Sequence, residues 1–206
     1  MVFPRWRQSI ARSLHAQRSK PESKFFQVAS ISEDNESGEL SVENRTVVFR
    51  GFVDDSNSFL AITDSRADKC EQWQQRPQAQ ICWYFTKTRE QYRITSAVIM
   101  IGHQCITAEK TESSNTASVR SSVWSSLSEK AKAQFFWPSP KQEINITPQD
   151  IGTDEKGIPD TFVVLVFNPT LVDYLNLRTE PQTRELHSIQ YLNDETSKWS
   201  YTSVNP

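Results

Sequence analysis

Three short runs of branched and aromatic residues constrain this chain most, because charged and hydroxyl side chains stand at their ends. Their composition is typical of β-strands, and the runs are Thr46 to Phe49, Ser58 to Thr63 and Ala79 to Phe85. The side chains at or near their ends are Arg45, Arg50, Ser65, Arg66 and Lys69. Guanidinium, ammonium and hydroxyl groups gathered in this way form the charge-assisted hydrogen bonds that a phosphate group accepts. The stretch from Glu43 to Arg93 therefore predicts a phosphate-binding site.

The composition limits the class of protein. With 206 residues, a net charge of −2 and a sequence pI near 6.0, the chain has no general attraction for nucleic acid or anionic membranes. We expect one domain over residues 1–206, and no apolar run approaches the ~20 residues of a membrane span. The first residues lack the apolar core of a secretory signal. Cys70, Cys82 and Cys105 form no C-x-x-C pair, so we expect a cytoplasmic protein without disulfides or a metal site.

The remaining pattern predicts a mainly β fold with peripheral helices. Alternation and apolar runs indicate eight or nine strands joined mostly by short connections, which favours an antiparallel barrel with helices packed outside it. The run Thr161 to Phe167 is the most apolar strand and is expected to be central. A separate strand is predicted over Leu171 to Arg178, and a final hairpin over Glu185 to Leu192 and Lys198 to Ser203.

Three helices are expected, separated by polar loops. Apolar spacing predicts helices over Trp6 to Lys20 and Ser122 to Trp137, and a third begins at Asp64 or Ser65 and ends before Pro77. Residues 108–122 are read as a loop and 141–160 as an irregular excursion. A helix that begins at Ser65 would offer free backbone N–H groups to a phosphate beside Arg66 and Lys69. The alternative is an ordinary surface helix with solvated ion pairs.

The ordered set of motifs resembles the pyridoxamine-phosphate-oxidase-like, FMN-binding split-barrel family. The segment R-T-V-V-F-R-G is similar to the family's R-x-V-L-L-K-G, and T-D-S-R-A-D-K to its phosphate turn. R-E-Q-Y-R-I and W-P-S-P-K-Q resemble two further segments that contact the flavin. The resemblance implies an antiparallel split barrel, FMN as cofactor and a homodimer with FMN in the cleft between subunits. It also implies these FMN contacts: Arg45, Val48, Arg50, Thr63, Ser65, Arg66, Lys69, Gln91 and Gln142.

The departures from the family concern the substrate side. L-N-L-R-T-E-P-Q-T-R-E-L-H resembles the family's late motif and makes Arg184 a candidate substrate contact. Leu186 stands where the family has a histidine, and Leu175 where it has a tryptophan. The tyrosine, arginine and serine that hold the substrate phosphate in the family are not evident on the helix read over Ser122 to Trp137. Trp83 and Trp137 are expected in the core.

Two classes of function remain open. The chain is either an FMN-dependent oxidoreductase for a small amine or alcohol, with or without a phosphate group, or a flavin-binding module without turnover. A true pyridoxamine or pyridoxine 5'-phosphate oxidase is an alternative within the first class. No residue can be assigned as a catalytic base, and FMN itself would carry the electrons.

Overall fold

A computed structural model describes residues 3–34, 36–102, 113–143, 157–191 and 197–206. Over these ranges the chain forms nine strands and four α-helices. The helices are α1 Arg5–Ala16, α2 Asp68–Gln75, α3 Ser113–Ser125 and α4 Glu129–Ala133, with short 3-10 helices at Pro21–Lys24 and Gln134–Phe136. The strands are β1 Phe25–Glu33, β2 Leu40–Val48, β3 Gly51–Phe52, β4 Phe59–Asp64, β5 Gln78–Phe85, β6 Glu90–Ile101, β7 Phe162–Asn176, β8 Thr183–Tyr191 and β9 Ser197–Val204.

All nine strands belong to one antiparallel sheet. Its main path runs β2-β1-β5-β6-β7-β4-β3, and β8 and β9 extend from β7. The chain passes from β2 into β3 through Arg50, whose N–H donates to the Leu60 carbonyl of β4 at 2.8 Å beside the β3–β4 pairing. The sequence prediction of an antiparallel split barrel with few helices is thereby confirmed. None of the helices in the described ranges is both long and apolar enough to cross a membrane.

The centre of the barrel is filled by aromatic side chains. Phe26, Phe59, Trp83 and Phe167 are fully buried, and the centroids of their contacting rings lie 5.3–6.3 Å apart. Tilted and edge-to-face contacts of this kind add stability beyond the area they bury. α1 packs onto this cluster through the buried Trp6 and Ile10. Trp83 is therefore a core residue, as expected.

The longest strand, β7, crosses the sheet where two separate strands were predicted. It pairs with β6 on one side and with β4 and then β8 on the other, so the expected central position of Thr161 to Phe167 is confirmed. Leu171 to Arg178 is not a separate strand, because β7 continues through Pro169. Proline cannot donate a ladder hydrogen bond, and the register of β6 against β7 shifts beside it, between Thr95 and Ser96.

Two helix predictions need correction. α2 begins at Asp68, not at Asp64 or Ser65, because Asp64 is the last residue of β4 and its carboxylate accepts from Arg66. The predicted loop over 108–122 is helical from Ser113, and the predicted helix over Ser122 to Trp137 is broken by Ser126–Ser128. Ser128 caps α4 by accepting from the Ala131 N–H. Residues 103–112 and most of 141–160 lie outside the described ranges.

We expect Trp83→Ala to lower the free energy of unfolding by about 3–5 kcal/mol, the usual cost of truncating a buried aromatic. The indole also donates to the Ser23 carbonyl at 3.0 Å, which the substitution leaves unpaired. Urea denaturation measures the loss. Val42→Ala, at a side chain 74% exposed on β2, is the control and should change stability by less than ~0.5 kcal/mol. Equal stability of the two variants would show that Trp83 does not anchor the core.

Candidate functional site

A cavity of about 560 Å³ lies between β2, β4, α2 and the segment that follows α4. This volume is within the range of small-molecule sites. Five of the predicted cofactor contacts line it, which are Arg45, Val48, Arg50, Thr63 and Lys69. We call it the cation cavity because three of these side chains are positive and come from three places in the chain. Arg45 lies on β2, Arg50 follows β2, and Lys69 lies in the first turn of α2.

Arg45 is held in place before any ligand binds. Its guanidinium donates to the Gln72 amide oxygen at 3.0 Å and to the Ser30 hydroxyl, and it forms a salt bridge of 3.1 Å with Glu43. Gln72 and Ser30 are buried, and the guanidinium lies 5.9 Å from the centre of the Trp73 ring. A long side chain fixed in this way loses less rotamer entropy when it contacts a ligand.

In the described ranges, no acidic side chain lies within salt-bridge distance of Arg50 or Lys69. Both side chains therefore carry positive charge without an ion-pair partner there. The Lys69 ammonium donates to the Thr63 hydroxyl at 3.2 Å, which is a neutral partner. Burial is the main cause of the lowered pKa of Lys69, and the charge of Arg45 adds to it, whereas Cys70, Asp64 and Asp68 oppose it. Burial alone lowers the pKa of Arg50. The lowered pKa values mean that burial disfavours the charged forms of both side chains, and an anion bound in the cavity would compensate this cost.

Ser65 and Arg66 lie in the turn between β4 and α2 and do not line the cavity. Arg66 makes a two-point pair with Asp64, with Nε to Oδ1 at 2.9 Å and Nη2 to Oδ2 at 2.6 Å. This hydrogen bond raises the pKa of the guanidinium. The Ser65 N–H donates to the Thr161 carbonyl at 2.8 Å. Their roles as phosphate contacts stay predictions, and a ligand would have to compete with Asp64 for Arg66.

The opposite side of the cavity is built by residues 134–140, which we call the wall segment. It contributes apolar and aromatic side chains, namely Phe135, Trp137, Pro138 and Pro140, together with Gln134. Gln142 follows the wall segment but is exposed and does not line the cavity. Trp137 was expected in the core, but its side chain is 41% exposed at the cavity. Sequence reasoning missed the wall because the break in the helix before it, at Ser126–Ser128, was not recognised.

The other two predicted contacts, Gln91 and Arg184, lie together on the outer face of the sheet. Cross-strand pairing puts Gln91 opposite both Tyr84 and Leu175, and Leu175 opposite Arg184. Residues directly opposite each other share one face, and neighbouring strands are ~4.8 Å apart, so Gln91 and Arg184 are roughly 10 Å apart across Leu175. We call this row and the next one, Cys82, Arg93, Asp173 and Leu186, the outer face.

The outer face and the cation cavity lie far apart along the chain's longest strand. Thr63 pairs with Val163 near one end of β7, whereas Gln91 pairs with Leu175 near the other. Twelve residues at ~3.3 Å each correspond to about 40 Å of strand. By the other path through the sheet, Arg45 is connected through Val28 and Ile81 to Ile94, on the same strand as Gln91. Neither Gln91 nor Arg184 lines the cation cavity itself.

An ion cluster fixes Arg184 on the outer face. Its guanidinium donates to both carboxylate oxygens of Asp173, at 2.8 and 2.6 Å, and Arg93 donates to the same carboxylate. Asp173 is 6% exposed. The Arg184 hydrogen bond is the main cause of the lowered pKa of Asp173, and Arg93 adds to it. Two cations share one anion, so the cluster retains a positive charge.

Comparisons with known proteins agree on one family. Residues 3–102 match the model of the pyridoxamine 5'-phosphate oxidase FMN-binding domain. The chain is 35% identical to a structure from Nostoc punctiforme described as a pyridoxamine 5'-phosphate oxidase-related, FMN binding protein, with all of both chains covered and a TM-score of 0.83. It is 28% identical over 204 residues to pyridoxine/pyridoxamine 5'-phosphate oxidase 2 of Arabidopsis thaliana, covering 98% of this chain and 96% of that protein.

A more distant structure shares the fold alone. PhzG from Burkholderia lata, solved in complex with tetrahydrophenazine-1-carboxylic acid, is 14% identical, with a TM-score of 0.56 over all of this chain and 98% of that one.

The lowered pKa of Lys69 gives the cavity a pH dependence. A bound phosphate dianion favours the charged ammonium, so binding raises the pKa and takes up a proton. Above about pH 8, where inorganic phosphate is already a dianion, its affinity should therefore fall as the pH rises towards ~10.4, the ordinary pKa of lysine. Calorimetric titration at several pH values measures this fall.

Lys69→Arg is the matched control, because a guanidinium stays protonated over this range. Its affinity should fall less than that of the unmodified protein. Parallel pH profiles for the two proteins would mean that Lys69 does not contact the anion.

Proposed function

The chain belongs to the pyridoxamine 5'-phosphate oxidase-like, FMN-binding split-barrel family, and from that premise we propose an FMN-dependent oxidoreductase for a small amine or alcohol. The observation that carries the proposal is the cation cavity. It joins two cations that lack acidic partners in the described ranges, Arg50 and Lys69, with a fixed third, Arg45. An oxidoreductase of this family needs such a site for the cofactor phosphate.

The residues of the cavity fit the chemical groups of FMN. Arg45, Arg50 and Lys69 would hold its phosphate, with the Thr63 hydroxyl beside them. Val48 and Ile62 from the sheet and Phe135 from the wall segment would give an apolar surface to the rest of the molecule. When bound, FMN supplies the redox chemistry at its isoalloxazine ring. The protein's contribution is to bind and orient this group and to place positive charge near it.

A shared cleft in a homodimer would join the two parts of the predicted site. Gln91 and Arg184 do not line the cavity of their own chain. A second copy related by two-fold symmetry would bring its own outer face to the cavity. The exposed leucines of β7 and β8, Leu171 at 41% and Leu186 at 37%, support burial of this face. Arg184, already oriented by Asp173, would then contact substrate from the partner.

A true pyridoxine phosphate oxidase is the second candidate, favoured by the name of the Arabidopsis relative. The helices in the described ranges argue against this second candidate. α3 does contain an arginine, Arg120, which the predicted helix boundaries missed. Its guanidinium donates to the carbonyls of Pro159 at 2.7 Å and Phe162 at 3.1 Å. These two hydrogen bonds join α3 to the start of β7. The Arg120 guanidinium is therefore occupied and does not replace the substrate-phosphate clamp of the family.

The FMN-loaded protein should oxidise pyridoxine 5'-phosphate more slowly than about 1 s⁻¹, the low end of ordinary turnover. Binding of the substrate's phosphate group normally supplies energy that orients the reacting carbon over the flavin. The described helices of this chain offer no clamp for that phosphate group. Product formation in the presence of oxygen measures the rate. A rate well above this value would establish the B6 oxidase instead.

The oxidoreductase class itself is tested by mixing the FMN-loaded protein with small amines and alcohols in the absence of oxygen. Bleaching of the flavin absorption by at least one of them is the expected result. A panel that leaves the spectrum unchanged, with chemically reducible FMN bound, would favour the flavin-binding module without turnover.

The homodimer makes a further prediction. Leu186→Asp puts a charge on the outer face and should convert a micromolar dimer into a monomer in light scattering, because burial of an unpaired carboxylate is costly. Val42→Asp, at an exposed position on β2, should remain dimeric. A monomeric unmodified protein with FMN bound would exclude the shared cleft.

A further inference from the structure

Trp137 differs from the other tryptophans of the chain. Trp6, Trp73 and Trp83 are fully buried, and Trp124 and Trp199 pack against other aromatic rings. The Trp137 side chain is 41% exposed, and among the described residues it has neither a ring partner nor a side-chain hydrogen bond. Large exposed aromatic surface without a partner is typical of a binding site when it lines a cavity. Trp137 lines the cation cavity.

The backbone that carries Trp137 is fixed. The residue is extended, with φ −70° and ψ 162°, which the following Pro138 favours. The Phe135 carbonyl accepts from the Thr161 hydroxyl at 2.8 Å, on β7's side of the wall segment. The Ser139 hydroxyl lies 3.5 Å from Arg66, and Lys141 pairs with Asp68 of α2. The wall segment is therefore tied to the sheet before Trp137 and to α2 after it.

The chemistry of the cavity is divided between its two sides. β2, β4 and α2 provide positive charge, whereas the wall segment provides an indole and two proline rings. A ligand that matches both sides is anionic at one part and a flat aromatic system at another. An exposed indole binds such a ring by stacking, which is selective for planar groups and indifferent to charge.

We infer that Trp137 is the stacking residue for the isoalloxazine ring of FMN, and that it determines selectivity for a planar ligand over other phosphate esters. This inference rests on the proposed function, because it requires FMN in the cation cavity.

The experiment compares two ligands in three variants. Trp137→Ala should weaken FMN binding about ten-fold or more while leaving the affinity for inorganic phosphate unchanged. Trp137→Phe should recover most of the FMN affinity, whereas Trp137→Leu, which keeps apolar area without a ring, should not. Trp199→Leu is the matched control, since Trp199 packs against Trp6 away from the cavity and should leave both affinities unchanged. The emission of bound FMN is a second measurement, because stacking on indole quenches it.

The outcomes separate the two proposals. If the unmodified protein binds no FMN, the proposed function fails. If FMN binds Trp137→Ala or Trp137→Leu as tightly as the unmodified protein, with equal quenching, the stacking role is overturned and the FMN site survives. Equal loss of FMN and phosphate affinity in Trp137→Phe and Trp137→Leu would also overturn it, because Trp137 would then only support the cavity.

Discussion

The site depends on positive charge that is partly withdrawn from water without being neutralised. Arg50 and Lys69 have no acidic side chain in salt-bridge contact in the described ranges, and burial lowers the pKa of both. Such charge is costly to the free protein and is retained at functional sites, where a ligand compensates it. Arg66, only three residues before Lys69, shows the contrasting arrangement, because Asp64 neutralises it at two points. This difference supports our proposal that the anion binds in the cavity, whereas Arg66 would have to leave Asp64 to contact it.

The fold holds the cations together by closing the sheet. Arg45 lies on β2, Arg50 lies between β2 and β3, and Thr63 lies on β4, with which β3 pairs. Gln72 and Ser30, both buried, set the position of Arg45. The same fold keeps the outer face apart, since β7 runs from the cavity region to Leu175 and Asn176. In the homodimer that we propose, a second copy would bring its outer face to the cation cavity.

The sequence was sufficient to predict the fold class, and three of the cations that it singled out, Arg45, Arg50 and Lys69, line one cavity. Local sequence specifies the strands, because β-branched runs lie next to or include Arg45, Arg50 and Thr63. The barrel then brings these three side chains together. The start of α2 was not predictable in this way. An aspartate such as Asp64 favours a helix cap by residue type, but here it pairs with β7 in the sheet and with the Arg66 side chain. Trp137 was expected in the core, at the end of a helix that the structure breaks at Ser126–Ser128. Its exposure depends on tertiary contacts of Phe135 and Ser139 that no local pattern encodes.

The most direct test of the cation cavity is a calorimetric comparison of FMN with riboflavin, which lacks the phosphate. Each charge-assisted hydrogen bond contributes about 1.5–3 kcal/mol, so the account predicts that FMN binds at least ~100-fold more tightly than riboflavin. In the Arg50→Met, Lys69→Met double variant this ratio should collapse towards ~1–10, whereas the exposed Arg178→Met should preserve it. A double variant that still prefers FMN as strongly as the unmodified protein would contradict the assignment of these cations to the phosphate.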